Sequence, residues 1–255
     1  MSRNVLRGSL LLTVVLSVTL LATPCFALQD DFERTYPLQP GGSFELQNVN
    51  GMVQIQGWER NEVEIHAVKT TRRKLSDLDR VSIEVSARPE AIAVVTRYPQ
   101  DEGVEVAVEY IVHVPHNARI EHVGTVNGTL RISGVDRLND LHTVNGNVEV
   151  YEAAGTVHAR TTNGNVRLEL AHFREAQEAS AETTNGSVLL AVPAETQAQL
   201  EARCLNGDFR SELPLALEST LQPREVHGRL GSGGGPIRLR TINGSIRVVV
   251  LRTSV

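Results

Sequence analysis

The chain has 255 residues, 41% of them apolar, 22% charged and 4% aromatic, enough apolar material for one or two packed domains and incompatible with wholesale disorder. Lys and Arg number 25 against 30 Asp and Glu, a net charge of −5, which gives no general electrostatic grip on nucleic acid or anionic lipid. Two cysteines are too few for a disulfide framework or a cysteine zinc site.

Residues 1–27 read as a cleaved secretory signal: Arg3 and Arg7 precede an apolar run from Leu10 to Leu21, and Cys25-Phe26-Ala27 offers small residues where a signal peptidase cuts. The 12-residue run is shorter than the roughly 20 residues a membrane-spanning helix needs, and no later segment reads as a transmembrane span. Ala22 and Pro24 do not match the residues a lipoprotein signal places before its cysteine. The mature chain then carries 23 basic and 30 acidic residues, 23 − 30 = −7, and one thiol, Cys204. Its expected location is the periplasm, the cell surface or the extracellular space.

Residues 28–118 read as an N-terminal β region continuous with the regular array of residues 119–255. Period-two apolar alternation runs through Val81, Ile83 and Val85 and again through Val104, Val106, Val108, Tyr110, Val112 and Val114. The charged stretch Thr70 to Arg80 precedes them, and this region is expected to supply longer strands that begin or cap the array.

Residues 119–255 are built on a repeat. Asn-Gly occurs seven times, at Asn50, Asn127, Asn145, Asn163, Asn185, Asn206 and Asn243, where 14 Asn and 20 Gly in 255 residues predict about one by chance. Asn and Gly are the residues that most readily take positive φ, so the dipeptide reads as a tight turn between extended segments. Two residues before each Asn stand Asn48, Thr125, Thr143, Thr161, Thr183, Cys204 and Thr241, and three and five residues after it stand apolar pairs such as Val148 and Val150. The unit is Thr-x-Asn-Gly-x-apolar-x-apolar, a turn followed by a strand with one buried face, and the fold class is all-β.

The intervals from Asn127 onward are 18, 18, 22, 21 and 37 residues, the last close to two repeats with one turn disguised. Two architectures fit: a β-solenoid (β-helix-like) with coils of about 18–22 residues closed by Asn-Gly turns, or a meander in which each Asn-Gly is a hairpin turn. Charge favours the coil. Stacking at 18 residues sets Glu149 between Arg131 and Arg167, whereas a hairpin at Asn163 would oppose Arg160 and Arg167. Ala171 to Glu182 has helix-favouring composition and is expected as a bulge or short helix. Glu212 to Gly235, with Pro214, Pro223 and Gly231-Ser-Gly-Gly-Gly235, reads as a loop before the final coil.

Tyr110-Ile-Val-His-Val-Pro115, the Thr-x-Asn-Gly-x-Val-x-Val units, and Gly228-Arg-Leu-Gly-Ser-Gly-Gly-Gly235 leading to Thr241-Ile-Asn-Gly244 resemble the bacterial putative adhesin family, over most of residues 40–250. The resemblance implies a secreted repeat domain that binds at the cell surface and carries over no catalytic residues.

No set of residues reads as a catalytic site, and no cofactor is implied. The Gly231–Gly235 loop lacks the Lys-Ser/Thr ending of a phosphate-binding loop and opens a strand rather than a helix. Cys204 stands in the inward threonine column, where a small buried thiol with ordinary reactivity is expected. At 18-residue stacking, His122, Asp140 and His158 fall in one outward column with His142 beside Asp140, a pattern able to present ligands to a divalent metal, but exposed His-Asp pairs are common on acidic surfaces and the preferred reading is a solvated polar face with no metal. Glu105, Glu109, Glu149 and Glu169 lie on outward positions without an evident acid-base partnership, so action on a polysaccharide by a lyase or hydrolase on a β-helix scaffold is the alternative function. The leading reading is a non-catalytic, adhesin-like binding or structural module whose partner is an envelope glycan, envelope polymer or protein met on a flat β surface.

Overall fold

A computed structural model describes residues 28–100, 103–174, 176–222 and 225–252; the signal reading falls on 1–27, outside the described residues. The protein is nearly all-β. Its N-terminal part comprises β1 (Leu28–Pro37), β2 (Ser43–Gln47), β3 (Val53–Trp58), β4 (Glu62–Thr71), a short helix α1 (Leu75–Asp79), β5 (Ser82–Arg88), β6 (Ala91–Arg97) and β7 (Val106–Pro115). Pairs of short strands follow: β8 (Arg119–Asn127) with β9 (Leu130–Ser133), β10 (Arg137–Asn145) with β11 (Val148–Ala153), β12 (Val157–Asn163) with β13 (Val166–Leu170), and β14 (Ala179–Asn185) with β15 (Val188–Val192). The C-terminal part adds β16 (Ala198–Asn206), β17 (Phe209–Ser211), β18 (Leu215–Gln222), β19 (Glu225–Leu230), β20 (Gly235–Asn243) and β21 (Ile246–Val250).

Two large sheets result. Sheet A runs β1-β4-β7-β3-β9-β11-β13-β15-β21-β17, and sheet B runs β18-β19-β16-β20-β14-β12-β10-β8-β2-β6-β5. Each Asn-Gly step from Asn127 onward joins a strand of sheet B to the next strand of sheet A, so none is a hairpin turn within one sheet. Neighbouring strands are parallel with the repeat positions in register: Asn145 faces Asn127 on one side and Asn163 on the other, and Glu149 faces Arg131 and Arg167. The inward side chains of the two sheets, among them Leu130, Val148, Val166 and Ile246 from sheet A and Ile120, Leu141, Ala159 and Leu239 from sheet B, are buried in one continuous core. Burial of this kind contributes about 25 cal/mol per Å² of apolar surface.

What the Asn-Gly code does differs from the expectation of paired positive φ. No turn asparagine has positive φ, and Gly128 and Gly146 do not either. Gly51, Gly164, Gly186, Gly207 and Gly244 do take positive φ, and glycine is required by the neighbouring level as well: a Cβ on Gly146 would overlap the carbonyl oxygen of Gly128, and one on Gly164 would overlap that of Gly146. The asparagine side chains form a one-way ladder, each Nδ2 donating to the Oδ1 of the adjacent level, at 2.8–2.9 Å, from Asn127 to Asn50 through to Asn206 to Asn243. The threonines two residues earlier are buried, and their hydroxyls donate to a glycine carbonyl of the adjacent level, Thr143 to Gly128 at 2.9 Å and Thr161 to Gly146 at 2.9 Å. Asn48 fills that position at the first level and donates instead to Val108 O at 2.8 Å.

Three further expectations are corrected. Residues 179–182 lie in β14 rather than in a helix, because Ala179 and Ala181 are buried in the parallel register with β12 and β20. The segment 212–235 is not an open loop but carries the hairpin β18–β19, antiparallel and joined to β16. The 37-residue interval between Asn206 and Asn243 hides no extra turn of the stack: that hairpin uses up the length, and β20–β21 then insert between the levels of Asn185 and Asn206. The 77-residue interval from Asn50 to Asn127 likewise contains an excursion, from the end of β3 to the start of β8, since β2 and β3 pair directly with β8 and β9.

Candidate functional site

Strand alternation sends one residue in two of sheet B outward, and the parallel register lines these residues up across the sheet. One outward row is His142, Arg160, Glu182, Arg240 and Arg203, in spatial order. A second, beside the asparagine ladder, runs Thr162, Thr184, Ile242 and Leu205, the last two 45% and 41% exposed. Between the rows lies a shallow groove of about 490 Å³. Its charges are largely paired. Arg160 meets Asp140 at 3.1 Å, and Arg240 meets Glu201 at 3.1 Å and Glu182 at 3.8 Å. Such a surface, with arginine forks, hydroxyls and two exposed aliphatic side chains on a rigid sheet, is suited to an extended polar ligand.

A larger cavity, of about 800 Å³, opens at the opposite ends of the same strands, where Phe173, Arg174, Glu195, Gln197 and the Gly233–Gly234 turn meet. It is built from the glycine-rich loop and from the segment read as a bulge. Ser232 Oγ donates to Gln197 Oε1 at 2.8 Å across its mouth.

The family model of Toastrack DUF4097 matches residues 42–249. The chain belongs to this family. Among solved structures, this Toastrack chain is similar to a putative cell adhesion protein from Clostridium sporogenes ATCC 15579, at 11% identity and a TM-score of 0.53, covering 87% of this chain and 100% of that one. A putative adhesin from Bacteroides fragilis NCTC 9343 is 13% identical with a TM-score of 0.36, covering 86% and 97%. A putative lipid binding protein from Parabacteroides distasonis ATCC 8503 is 11% identical with a TM-score of 0.30, covering 88% and 97%. No curated protein matches the sequence. At these identities the likeness to the Clostridium structure speaks for the fold.

The Toastrack stack brings together only part of the histidine-aspartate column. His122 Nδ1 lies 2.7 Å from Asp140 Oδ2, but His158 Nδ1 pairs with Ser180 Oγ at 2.8 Å. The register between β10 and β12 slips between Leu138 and Leu141, and Asp140 turns to His122 and Arg160 rather than to His158. His142 stands beside Arg160 with its Nδ1 buried and unpartnered; burial lowers its pKa, and the Arg160 charge lowers it further. Among the described residues no group of three or more His, Cys, Asp or Glu side chains is placed to hold a metal ion.

Cys204 is 4% exposed and donates to Gly244 O at 2.9 Å, as the threonines of its column do, and burial pushes its thiol pKa up. Of the outward glutamates, Glu149 is held by Arg131 at 2.9 Å, Glu169 by Arg167, and Glu105 by Arg73. One cluster escaped sequence reading. Trp58, the single tryptophan, stacks on His113 with centroids 5.1 Å apart, carries Arg60 at 4.8 Å from its ring centroid, and donates from Nε1 to Glu62 O at 2.9 Å. Its signal was its uniqueness; Arg60 and Glu62 follow it by two and four residues, whereas His113 comes from β7, which no local spacing connects to it.

Proposed function

We propose that this protein is a non-catalytic, adhesin-like module of a bacterial cell envelope, exported through a cleaved signal at residues 1–27, that holds an envelope glycan, another envelope polymer or a protein on the outward face of sheet B. In this reading the chain is a β-solenoid with coils of about 18–22 residues from Asn127 to Asn206, interrupted by the hairpin β18–β19 before its last coil and continuous with the less regular β region 28–118. The observation that carries the reading is the groove beside the asparagine ladder, where Arg203, Leu205, Arg240 and Ile242 stand on a surface fixed by side-chain ladders at every level. A rigid platform with little ordering left to do suits recognition, because the entropy of holding the contact residues is already spent in folding. The name of the Clostridium fold neighbour, a putative cell adhesion protein, is in keeping with a surface role. Among the described residues no helix is long and apolar enough to cross a membrane.

An array of bacterial surface glycans and envelope polymers tests the proposal. Retention without product is expected, and a variant with Arg203→Ala and Leu205→Ala should lose about tenfold or more in affinity while melting with the native chain. New reducing or unsaturated ends would overturn it in favour of an enzyme. Equal retention by the variant would remove this face from the reading.

A further inference from the structure

Residues 235–250 come last among the strands but do not lie at the end of the stack. The level of Asn206 follows that of Asn185 by 21 residues, an ordinary interval for this repeat, yet the two levels do not touch through β14 and β16. β20 lies between them, parallel to both. On its other side β16 pairs with β19, antiparallel. The chain therefore runs along one side of β16, crosses its start through Gly231–Gly234, and returns along the other side. Gly231 and Gly233 sit at φ +59° and +88°, so this crossing depends on residues that adopt open conformations easily.

The inserted segment displays the same code on both edges. Thr241 donates to Gly186 O at 2.8 Å, and Cys204 donates in turn to Gly244 O at 2.9 Å; Asn243 donates to Asn185, and Asn206 to Asn243, each at 2.8 Å. Arg238 and Arg240 of the segment add ion pairs to Glu178 and Glu182 on one side and to Glu201 on the other. A slot that holds its segment by this code and these pairs cannot tell the segment of its own chain from that of another copy. The walls also match each other. Without the segment, a shift of one level would set Asn206 against Asn185, Cys204 against Thr183, and Arg203 against Glu182. Arg203 now lies beside Arg240 in register and has no ion-pair partner among the described residues. Closing the slot would replace the like charge of Arg240 beside it by the carboxylate of Glu182, with Glu225 of β19 still in register on its other side, so an acceptor that has lost its segment keeps a paired stack while it waits. Exchange of a terminal element across a glycine hinge is a low-cost route to self-association.

We propose that residues 235–250 are an exchangeable coil and that the partner accepted by the slot between β14 and β16 is the same segment of a second copy of this chain. Complementary cysteines report it directly. The donor carries Cys204→Ser and Thr241→Cys, the acceptor keeps Cys204, and both carry Cys25→Ser. These changes are mild, because the column already accommodates both threonine and cysteine. Positions 204 and 241 face each other across adjacent strands, within the Cα separation a disulfide needs. Warming the mixture to the onset of melting, cooling it and oxidising it should yield a donor–acceptor disulfide dimer on a non-reducing gel. A donor that also carries Gly244→Val, whose side chain would overlap Gly186 O, should yield at least tenfold less. Absence of the mixed dimer would overturn the proposal, and so would equal yield from the Gly244→Val donor, since the disulfide would then form outside the slot.

Discussion

Between Gly128 and Gly146 two levels of backbone touch with no room for a side chain, so the identity of residue 146 is set by packing between levels. Gly146→Ala should cost about 3 kcal/mol, the upper range for overpacking, and lower Tm by about 10 °C, as read by calorimetry. The fully buried Thr143 tests the other half of the code. Thr143→Val keeps the shape but leaves the Gly128 carbonyl without its donor, a loss of about 1–2 kcal/mol in denaturant unfolding, whereas Thr143→Ser keeps the bond and should lose less. His142 supplies a pH dependence. Its pKa lies below the ordinary 6.5 in the folded chain, first because of burial and then because of Arg160, so below about pH 6.5 the unfolded chain binds the proton more readily. Its contribution is therefore complete above pH 6.5 and is lost as pH falls through the folded value. Melting followed from about pH 7 to about pH 5 should fall more steeply for the native chain than for His142→Gln.

At the scale of elements, the asparagine ladder links the levels by a row of amides in which each middle member both donates and accepts. Asn163→Ala removes one rung and leaves Asn145 Oδ1 and Asn185 Nδ2 unpaired; because the ladder is exposed and water can replace the partner, the expected cost is about 1 kcal/mol by denaturant titration. These elements were legible in the sequence wherever one residue type answers one local demand: strands from period-two burial at Val148 and Val150, inward threonines from their constant offset, and levels from the recurrence of Gly. What was not legible is order in space. Asn206 and Asn243 carry the same code, so nothing in either residue says that the later level lies inside the earlier one. The hairpin β18–β19 was hidden because Pro214 and Pro223 read as loop, whereas Pro214 directly precedes β18, at an edge of sheet B where a missing donor is tolerated. Ala179 and Glu182 have helical composition, but the register of β14 between β12 and β20 overrides it. For the candidate site, stacking predicted the contact of His122 with Asp140, and the slip between Leu138 and Leu141 that separates His158 from them has no sequence signal.

Across the whole molecule, the N-terminal region 28–118 could fold as a separate body or as the first levels of one stack, and the sheets distinguish the two. The strand pairs β2–β8 and β3–β9 continue both sheets across position 118, so no break in the hydrogen-bonded ladder marks a boundary there. Tyr110 binds the two sheets together at this end. It is fully buried in β7 of sheet A, and its hydroxyl lies 2.7 Å from the Thr96 hydroxyl of β6 in sheet B, with burial raising the phenol pKa. Tyr110→Phe deletes that bond and leaves the Thr96 hydroxyl buried without it, a loss of about 1–2 kcal/mol. If the levels melt as one cooperative unit, calorimetry should show a single transition that moves as a whole in Tyr110→Phe, by a few degrees, with its calorimetric and van't Hoff enthalpies still equal. A separately folded N-terminal region would instead give two transitions, only the first shifted by the substitution. Nearest-neighbour coupling between levels favours the single transition, because both sheets stay paired across position 118, β2 with β8 and β3 with β9, and one core is continuous from end to end.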